Sequence, residues 1–469
     1  MDNLRGTILQ PWNYYTPESD SSNKNLWQRL ERDADKILDQ GYTAVWLPPA
    51  SECDSGKSGV GYSIKNWYNL SGTKYGNKNQ LQDACNALKR KGINIYHDQV
   101  FNHLMGGQDE HNIWCLSVKK QNKNEKVNDS CVWFQTTLPT SYPWLELNHN
   151  HFDAYHPNDY ECWILANKNF ECEAYQDPWG GCDLDYDNID LVFKLEKFGY
   201  WYKNEVHVDG YRFDAVKHIR PMGTLNFLTA MRVSESKNMF AVGEFLHDNI
   251  WLLHNYINAT LEQISLFDVP LQRKMERASQ QGNSFDMGSI FNGTLTHDRP
   301  VRSVSYVHTH DDQPGMHGGG GRGHYIGDWF ISQAYALILL RDKGYPLVSD
   351  VDILRHGDMI KRYMLLRQDC TYGHREDRFD HSDTAGWSFS GGYGYDNSMA
   401  VVITNGSFGK KWLPTGKAYT RYRDFTDALN HSIQTNEYGW AEFHCPERNT
   451  SVWIEESKYN YLKDKLSRL

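Results

Sequence analysis

The sequence predicts an α/β chain, a closed (β/α)8 TIM barrel with a domain inserted after strand 3 and a C-terminal antiparallel β domain. Three observations predict it. Short apolar runs alternate with helix-period segments over the first hundred or so residues, and again from residue 207 to 349. Between these regions lies a long polar stretch with no clear period. Beyond residue 395 the pattern changes to short β-type runs between turn residues.

Thr7–Leu9 reads as the first strand. Lys24–Gln40 follows as a helix with Trp27, Leu30, Ala34, Ile37 and Leu38 inward, stopped by Gly41. Tyr42–Leu47 is the second strand, ended by Pro48 and Pro49. Asn79–Lys91 is a helix with Leu81, Ala84, Cys85 and Leu88 inward and Gly92 as its stop. Ile93–Asn102 is the third strand. Leu104 to about Glu205 is too long for an ordinary loop and reads as an inserted domain. Strands resume at His207–Phe213, Phe240–Phe245, Ser265–Val269, Ser303–His308 and Tyr345–Ser349, with a helix at Trp329–Lys343. Three strands and five make the eight that a barrel needs. The last β runs are Met399–Thr404, Ala418–Asp424, Gly439–Phe443 and Thr450–Ile454. The expected division is therefore 1–103 with 205–394 as the barrel, 104–204 as the insert and 395–469 as the terminal domain.

Composition narrows the function. A net charge of -10 without a run of basic residues disfavours nucleic acid as a partner. The longest apolar run, Ala334 to Leu340, is far below a membrane span, so no membrane partner is expected. No charged leader followed by an apolar segment opens the sequence, which gives a cytoplasmic expectation unless a signal has been trimmed. The nine cysteines include no C-x-x-C pair, so reduced thiols are expected rather than zinc ligands. A disulfide within Cys115–Cys182 is the alternative. Aromatic residues reach 14%; most of them pack cores, and a minority suit the C–H faces of sugars.

In a barrel of this kind, chemistry sits at the carboxyl ends of the strands. Asp98, Asn102 and His103 close the third strand. Asp209, Arg212, Asp214, Lys217 and His218 run through the fourth. Glu244 closes the fifth, and His310, Asp311 and Asp312 follow the seventh. A single acidic residue ending a strand is ordinarily a helix cap, but four such clusters are not explained that way.

These four segments resemble, in order and interval, the short regions shared by α-amylase-family glycoside hydrolases (family 13). The resemblance extends to Tyr42–Pro49, Gly61 and Tyr62, the 329–344 helix, the Asp380–Trp387 segment and the Tyr438–His444 segment. In detail the chain looks most like the liquefying, bacterial-type α-amylases, many of which are intracellular when they lack a signal peptide. The resemblance implies retaining endo-hydrolysis of α-1,4-glucosidic bonds in starch, glycogen and maltooligosaccharides. Asp214 would be the nucleophile, Glu244 the acid and base, and Asp311 the group that holds the sugar's 2- and 3-hydroxyls. In a retaining pair the carboxyls lie about 5–5.5 Å apart. His103 and His310 would hydrogen-bond the sugar, Tyr62 would stack on it, Arg212 would pair with Asp214, and Lys217 would reach the leaving-group side. Asp209 would support its strand.

The resemblance also implies calcium. Asn102, Asp177, Asp183 and the His218 carbonyl would hold a first Ca2+ between barrel and insert, and Asp153, Asp185 and Asp187 match a second metal site. Glu171 stands where an Asp is expected, which counts against that second site. A solvated acidic loop is the plain alternative.

The chain departs from the family pattern beside Asp311. Thr309, preceded by His308, replaces the usual Asn, and a glycine-rich run from Met316 to Gly323 follows. After the eighth strand come Asp350 and Asp352 in place of an aromatic and a glycine. An altered product or acceptor preference is expected. A maltooligosaccharide exo-hydrolase or transglycosylase is the alternative within the family. A non-catalytic glucan-binding protein is the alternative outside it, and loss of a catalytic carboxylate would signal that case. An α-glucan is the expected partner and a monomer the default.

Overall fold

Eight parallel strands close on themselves in chain order. They are β1 (Ile8–Gln10), β2 (Ala44–Leu47), β3 (Asn94–Gln99), β4 (Gly210–Phe213), β5 (Phe240–Gly243), β6 (Ser265–Phe267), β7 (Ser303–Tyr306) and β8 (Tyr345–Ser349). Each pairs with its chain neighbours, and β8 pairs with β1. The computed structural model describes residues 5–107, 112–119, 122–127, 132–135, 141–156, 161–165, 181–233, 239–312 and 324–469.

The helices that wrap the barrel form where the sequence supplies both a start and a buried stripe. Leu26–Asp39 begins at a capping box, in which the Asn25 side chain accepts from Gln28 N and Gln28 reaches back. Trp27, Leu30, Ala34 and Ile37 are buried on it. Leu38, expected inward, is 44% exposed: it falls at the edge of the buried stripe, about 20° past Trp27 on the helical wheel, in the helix's last turn. Lys78–Arg90 repeats the capping box with Asn77 and Gln80 and buries Leu81, Ala84, Cys85 and Leu88 as expected.

The insert is an antiparallel sheet. Its strands run in the order His103–Leu104, Gly181–Leu184, Phe152–His156, Glu161–Leu165, Asn112–Lys119 and Asn122–Lys126, with Val132–Gln135 also against Asn112–Lys119. The helix Ile189–Glu205, which the sequence reading leaves inside the insert, belongs with the barrel. It buries Leu191, Leu195, Phe198 and Tyr202 and packs beside the helix Pro221–Val233.

The terminal unit also starts earlier than residue 395. Its six-stranded sheet runs Arg375–Arg378, Thr384–Phe389, Met399–Thr404, Thr450–Glu455, Arg421–Asp424 and Ser432–Gln434. A separate pair joins Gly409–Pro414 to Trp440–Cys445. Ahead of this unit, Asp350–Cys370 is a long helix broken at His356, and the predicted Trp329–Lys343 helix is shorter, Ile331–Leu339. The terminal unit is fastened to the barrel by Arg341, which forms two bonds to Asp377 at 2.9 and 3.0 Å, and by Trp387 Nε1 donating to Leu340 O at 2.6 Å. Among the described residues no helix is long and apolar enough to cross a membrane. Cys53, Cys85, Cys370 and Cys445 are buried free thiols, while Cys131 and Cys172 fall outside the described residues.

Candidate active site

The barrel register brings the carboxylates together. Arg212 on β4 is directly opposite Asp98 on β3, and Phe213 is opposite Gly243, so Asp214 and Glu244 leave neighbouring strands at one level. Period two puts Arg212 and Asp214 on one side of their strand. Arg212 Nη1 lies 2.6 Å from Asp214 Oδ1 and 2.9 Å from Asp98 Oδ1, and Nη2 lies 3.0 Å from Glu244 Oε2. The guanidinium is only 1% exposed, and its fixed fork holds all three acids at once.

The turn after β4 completes the arrangement. Ala215 adopts a left-handed conformation, φ 48°, and its N–H donates to Glu244 Oε2 at 3.2 Å. A non-glycine residue held there is strained, and strain of this kind collects where geometry serves chemistry. Asp214 and Glu244 are themselves within hydrogen-bonding reach of one another.

Burial acts on both carboxyls. Burial pushes Glu244 up to about 7, with the charges of Asp214 and Asp311 adding to the rise and Arg212 opposing it. Burial also raises Asp214, against the attraction and hydrogen bond of Arg212. Asp98 is pushed up to about 7 by burial, while Arg212 and donors from Tyr62 Oη at 2.8 Å and Trp46 Nε1 at 3.1 Å favour its ionised form.

His310 and Asp311 close the site from the seventh strand. His310 Nε2 lies 3.3 Å from Asp311 Oδ2, and Gln10 Nε2 from the end of β1 lies 3.0 Å from Nδ1. Burial holds His310 well below its ordinary value, so the ring is neutral. Tyr62 stacks on it at 5.2 Å and 4°, and Trp12 packs against it at 4.5 Å. Tyr62 is thus part of a rigid aromatic wall. His103 is tied to the Tyr62 carbonyl through Nε2 at 3.0 Å, which leaves Nδ1, 3.4 Å from Asn102 Nδ2, as its second polar atom. Lys217 sits half-buried on the turn after Asp214 and has no ion-pair partner among the described residues. Asp209 accepts from Ile95 N at 3.0 Å and bonds His207, the strand-supporting role expected of it.

Sequence reasoning gave no role to Asp98, Gln10, Trp12 or Tyr14. Trp12 and Tyr14 follow β1 at a spacing of two, and Tyr14 approaches His310 to 5.2 Å. That spacing past the end of a strand was the only signal available. The unusual Thr309 also finds its place. Its hydroxyl donates to Asp312 Oδ2 at 3.2 Å and receives Asp311 N at 3.3 Å. His308 bonds Asp352 at 2.8 Å and accepts Ile326 N at 2.9 Å.

The chain carries the family's mark over more than half its length: residues 33–291 match the model of the α-amylase catalytic domain. It belongs to the α-amylase family. It is 32% identical to the glucan 1,4-alpha-maltohexaosidase of Bacillus sp. (strain 707), over 96% of this chain and 92% of that protein. It is 30% identical to the alpha-amylase of Bacillus licheniformis, over 97% and 94%. It is also 30% identical to the cytoplasmic alpha-amylase of Escherichia coli (strain K12), over 96% and 99%. The fold matches the acarbose-complexed alpha-amylase of Geobacillus thermoleovorans with a TM-score of 0.68 at 16% identity, covering 97% of this chain and 99% of that one. As a member of this family the chain is a glycoside hydrolase.

For an α-amylase-family chain the junction between barrel and insert is the place to test for a metal. Asn102, Asp153, Asp183 and Asp185 are all buried there, and Asp183 is paired across from His103. Their hard oxygen donors suit Ca2+. Among the described residues no three acidic, His or Cys side chains converge as a finished metal cluster. Asp177 lies outside the described residues. Asp187 pairs with Arg220, 2.5 Å away, and is half exposed, while its N–H donates to Asp185 Oδ1 at 3.0 Å.

Proposed function

We propose that the chain hydrolyses internal α-1,4-glucosidic bonds of starch, glycogen and maltooligosaccharides with retention of configuration. The single observation that carries this reading is Arg212 bridging Asp214 and Glu244. Two carboxyls in hydrogen-bonding reach leave no room between them for the water an inverting enzyme needs, at about 6.5–9.5 Å. Asp214 attacks the anomeric carbon as Glu244 gives its proton to the departing glycosidic oxygen. Glu244, now ionised, takes a proton from water, whose oxygen displaces Asp214 and frees the sugar. Asp311 and His310 hold the sugar's hydroxyls, His103 and Tyr62 shape the wall of the same subsite, and Lys217 lies toward the leaving group. The maltohexaosidase among the relatives supports a product of defined length as a second reading.

Ca2+ would be held by Asn102, Asp183, the His218 carbonyl and Asp177, with Asp153 and Asp185 adjoining. It would supply a structural clamp between barrel and insert. The cytoplasmic relative and the four buried thiols support a cytoplasmic location.

The test is starch hydrolysis by wild type beside Asp214→Asn, with the anomer of the first product read by NMR. The variant should fall by on the order of 10³-fold or more, and wild type should release the α-anomer. Equal rates, or a β-anomer, would overturn the reading. Products from maltoheptaose longer than the substrate would move it to transfer.

A further inference from the structure

Two histidines meet on the outside of the terminal unit. His431 immediately precedes Ser432–Gln434, the edge strand of the six-stranded sheet, and His444 lies on Trp440–Cys445 of the separate pair. Alternation along Trp440–Cys445 buries Ala441, Phe443 and Cys445 and leaves Trp440, Glu442 and His444 on the outer face. There His431 Nε2 lies 3.1 Å from His444 Nδ1.

The frame around the pair is fixed. Trp453, fully buried, donates from Nε1 to the His444 carbonyl at 2.9 Å and sets its ring 5.3 Å from that of His431. Phe408 packs on His444 at 5.5 Å. One indole thus holds both residues, His444 by its backbone and His431 by its ring. The His444 side chain is 27% exposed and His431 is exposed, so water reaches the pair.

A carboxylate sets the tautomer. Glu442, two residues before His444, places Oε1 3.5 Å from His444 Nε2. The ring hydrogen belongs on that nitrogen, and Nδ1, which faces His431, keeps its lone pair. A carboxylate on the far side of the ring is the arrangement that orients an imidazole toward a metal and raises its basicity. Lys410 stands opposite His444 in the register, and Glu442 matches its charge at 3.3 Å.

Distance and donor type select the ion. Zn2+ binds imidazole nitrogen at about 2.0–2.1 Å, which puts two such nitrogens about 2.9 Å apart at a right angle and about 3.3 Å apart at the tetrahedral angle. The 3.1 Å between His431 and His444 falls inside that range, so an ion enters without a shift of either strand. Ca2+ and Mg2+ take oxygen ligands, and a pair of imidazoles does not suit them. Two protein ligands are fewer than a closed structural zinc site has, so water completes the coordination.

We propose that His431 and His444 form a Zn2+ site that ties the six-stranded sheet of the terminal unit to the two-stranded pair. It is separate from the Ca2+ junction in place and in chemistry. Its donors are nitrogens in the terminal unit, whereas Asn102 and Asp183 offer oxygens where the insert leaves the barrel. An ion held by the folded state alone stabilises it.

Calorimetric titration with ZnCl2 in excess Ca2+, so that oxygen sites are already filled, tests it beside thermal midpoints. Wild type should bind Zn2+ and melt at a higher temperature with it. His431→Ala and His444→Gln should each bind at least about tenfold more weakly and lose the Zn2+-dependent rise, and Glu442→Gln should weaken binding by about tenfold. His431 is exposed, so its variant keeps the test open if His444→Gln fails to fold. Equal Zn2+ affinity in wild type and a folded His431→Ala would overturn the proposal. So would a wild type that binds no Zn2+, which would leave the two rings sharing a hydrogen bond and nothing more.

Discussion

Arg212 reaches Asp214 at 2.6 Å from two positions earlier on the same strand, with 1% of the arginine exposed. A lysine could make one such contact but not three. Arg212→Lys should therefore lower kcat/KM by on the order of 10²-fold or more, since buried acids are left without a matched partner. Steady-state kinetics on maltoheptaose, with a melting curve as the fold control, checks this. A variant within threefold of wild type would remove Arg212 from the machinery.

The pH dependence follows from Glu244. Its proton is needed for leaving-group departure, and burial with two acidic neighbours pushes its value up to about 7. Activity should be full below that value and fall as pH rises through it, a descending limb in log kcat/KM. Asp311 contributes to the rise, so Asp311→Asn should move the limb of the residual activity to lower pH. A limb that stays in place or moves upward would contradict the assignment.

The residues that gather here could be found in the sequence, because each proposed catalytic group follows closely on a strand whose apolar run is itself visible. The strands Gly210–Phe213 and Phe240–Gly243 show this, both short, almost wholly buried and followed directly by Asp214 and Glu244. What stayed hidden lacks a local signal. Arg375–Arg378 is four charged residues that become a strand only because Thr384–Phe389 pairs with it. Gly409–Pro414 carries two lysines and becomes a strand through Trp440–Cys445. The helix Ile189–Glu205 mixes aromatic and charged residues, and Phe193 is 59% exposed, which blurs its period. Asp98 was visible as a residue, but its role comes from the β3–β4 register, which spacing along the chain does not encode.

His308 and Asp352 form a buried pair, 0% and 2% exposed, in which Asp352 also receives Tyr335 Oη at 2.6 Å. Through Ile326 N the pair anchors the chain just after the glycine-rich segment. Asp352→Asn leaves that ring and hydroxyl facing an amide, and should cost about 2–4 kcal/mol by urea denaturation. It should also change the distribution of products from long amylose, because the segment it anchors follows Asp311. Unchanged stability and products would leave His308 a bystander.

Metal removal tests the junction between barrel and insert. Asn102 immediately precedes the strand His103–Leu104, which pairs with the strand Gly181–Leu184 that carries Asp183, so a cation bound to both would clamp the insert to the third barrel strand. Ligand binding to the folded state alone raises stability by RT ln(1 + [L]/Kd), about 2.7 kcal/mol at a hundredfold excess over Kd. Chelation of Ca2+ should therefore lower the thermal midpoint of wild type by several degrees, and added Ca2+ should restore it. Asp183→Asn should abolish that response, whereas Asp187→Asn should keep it, because Asp187 is engaged with Arg220. An identical calcium response in wild type and Asp183→Asn would place the ion elsewhere.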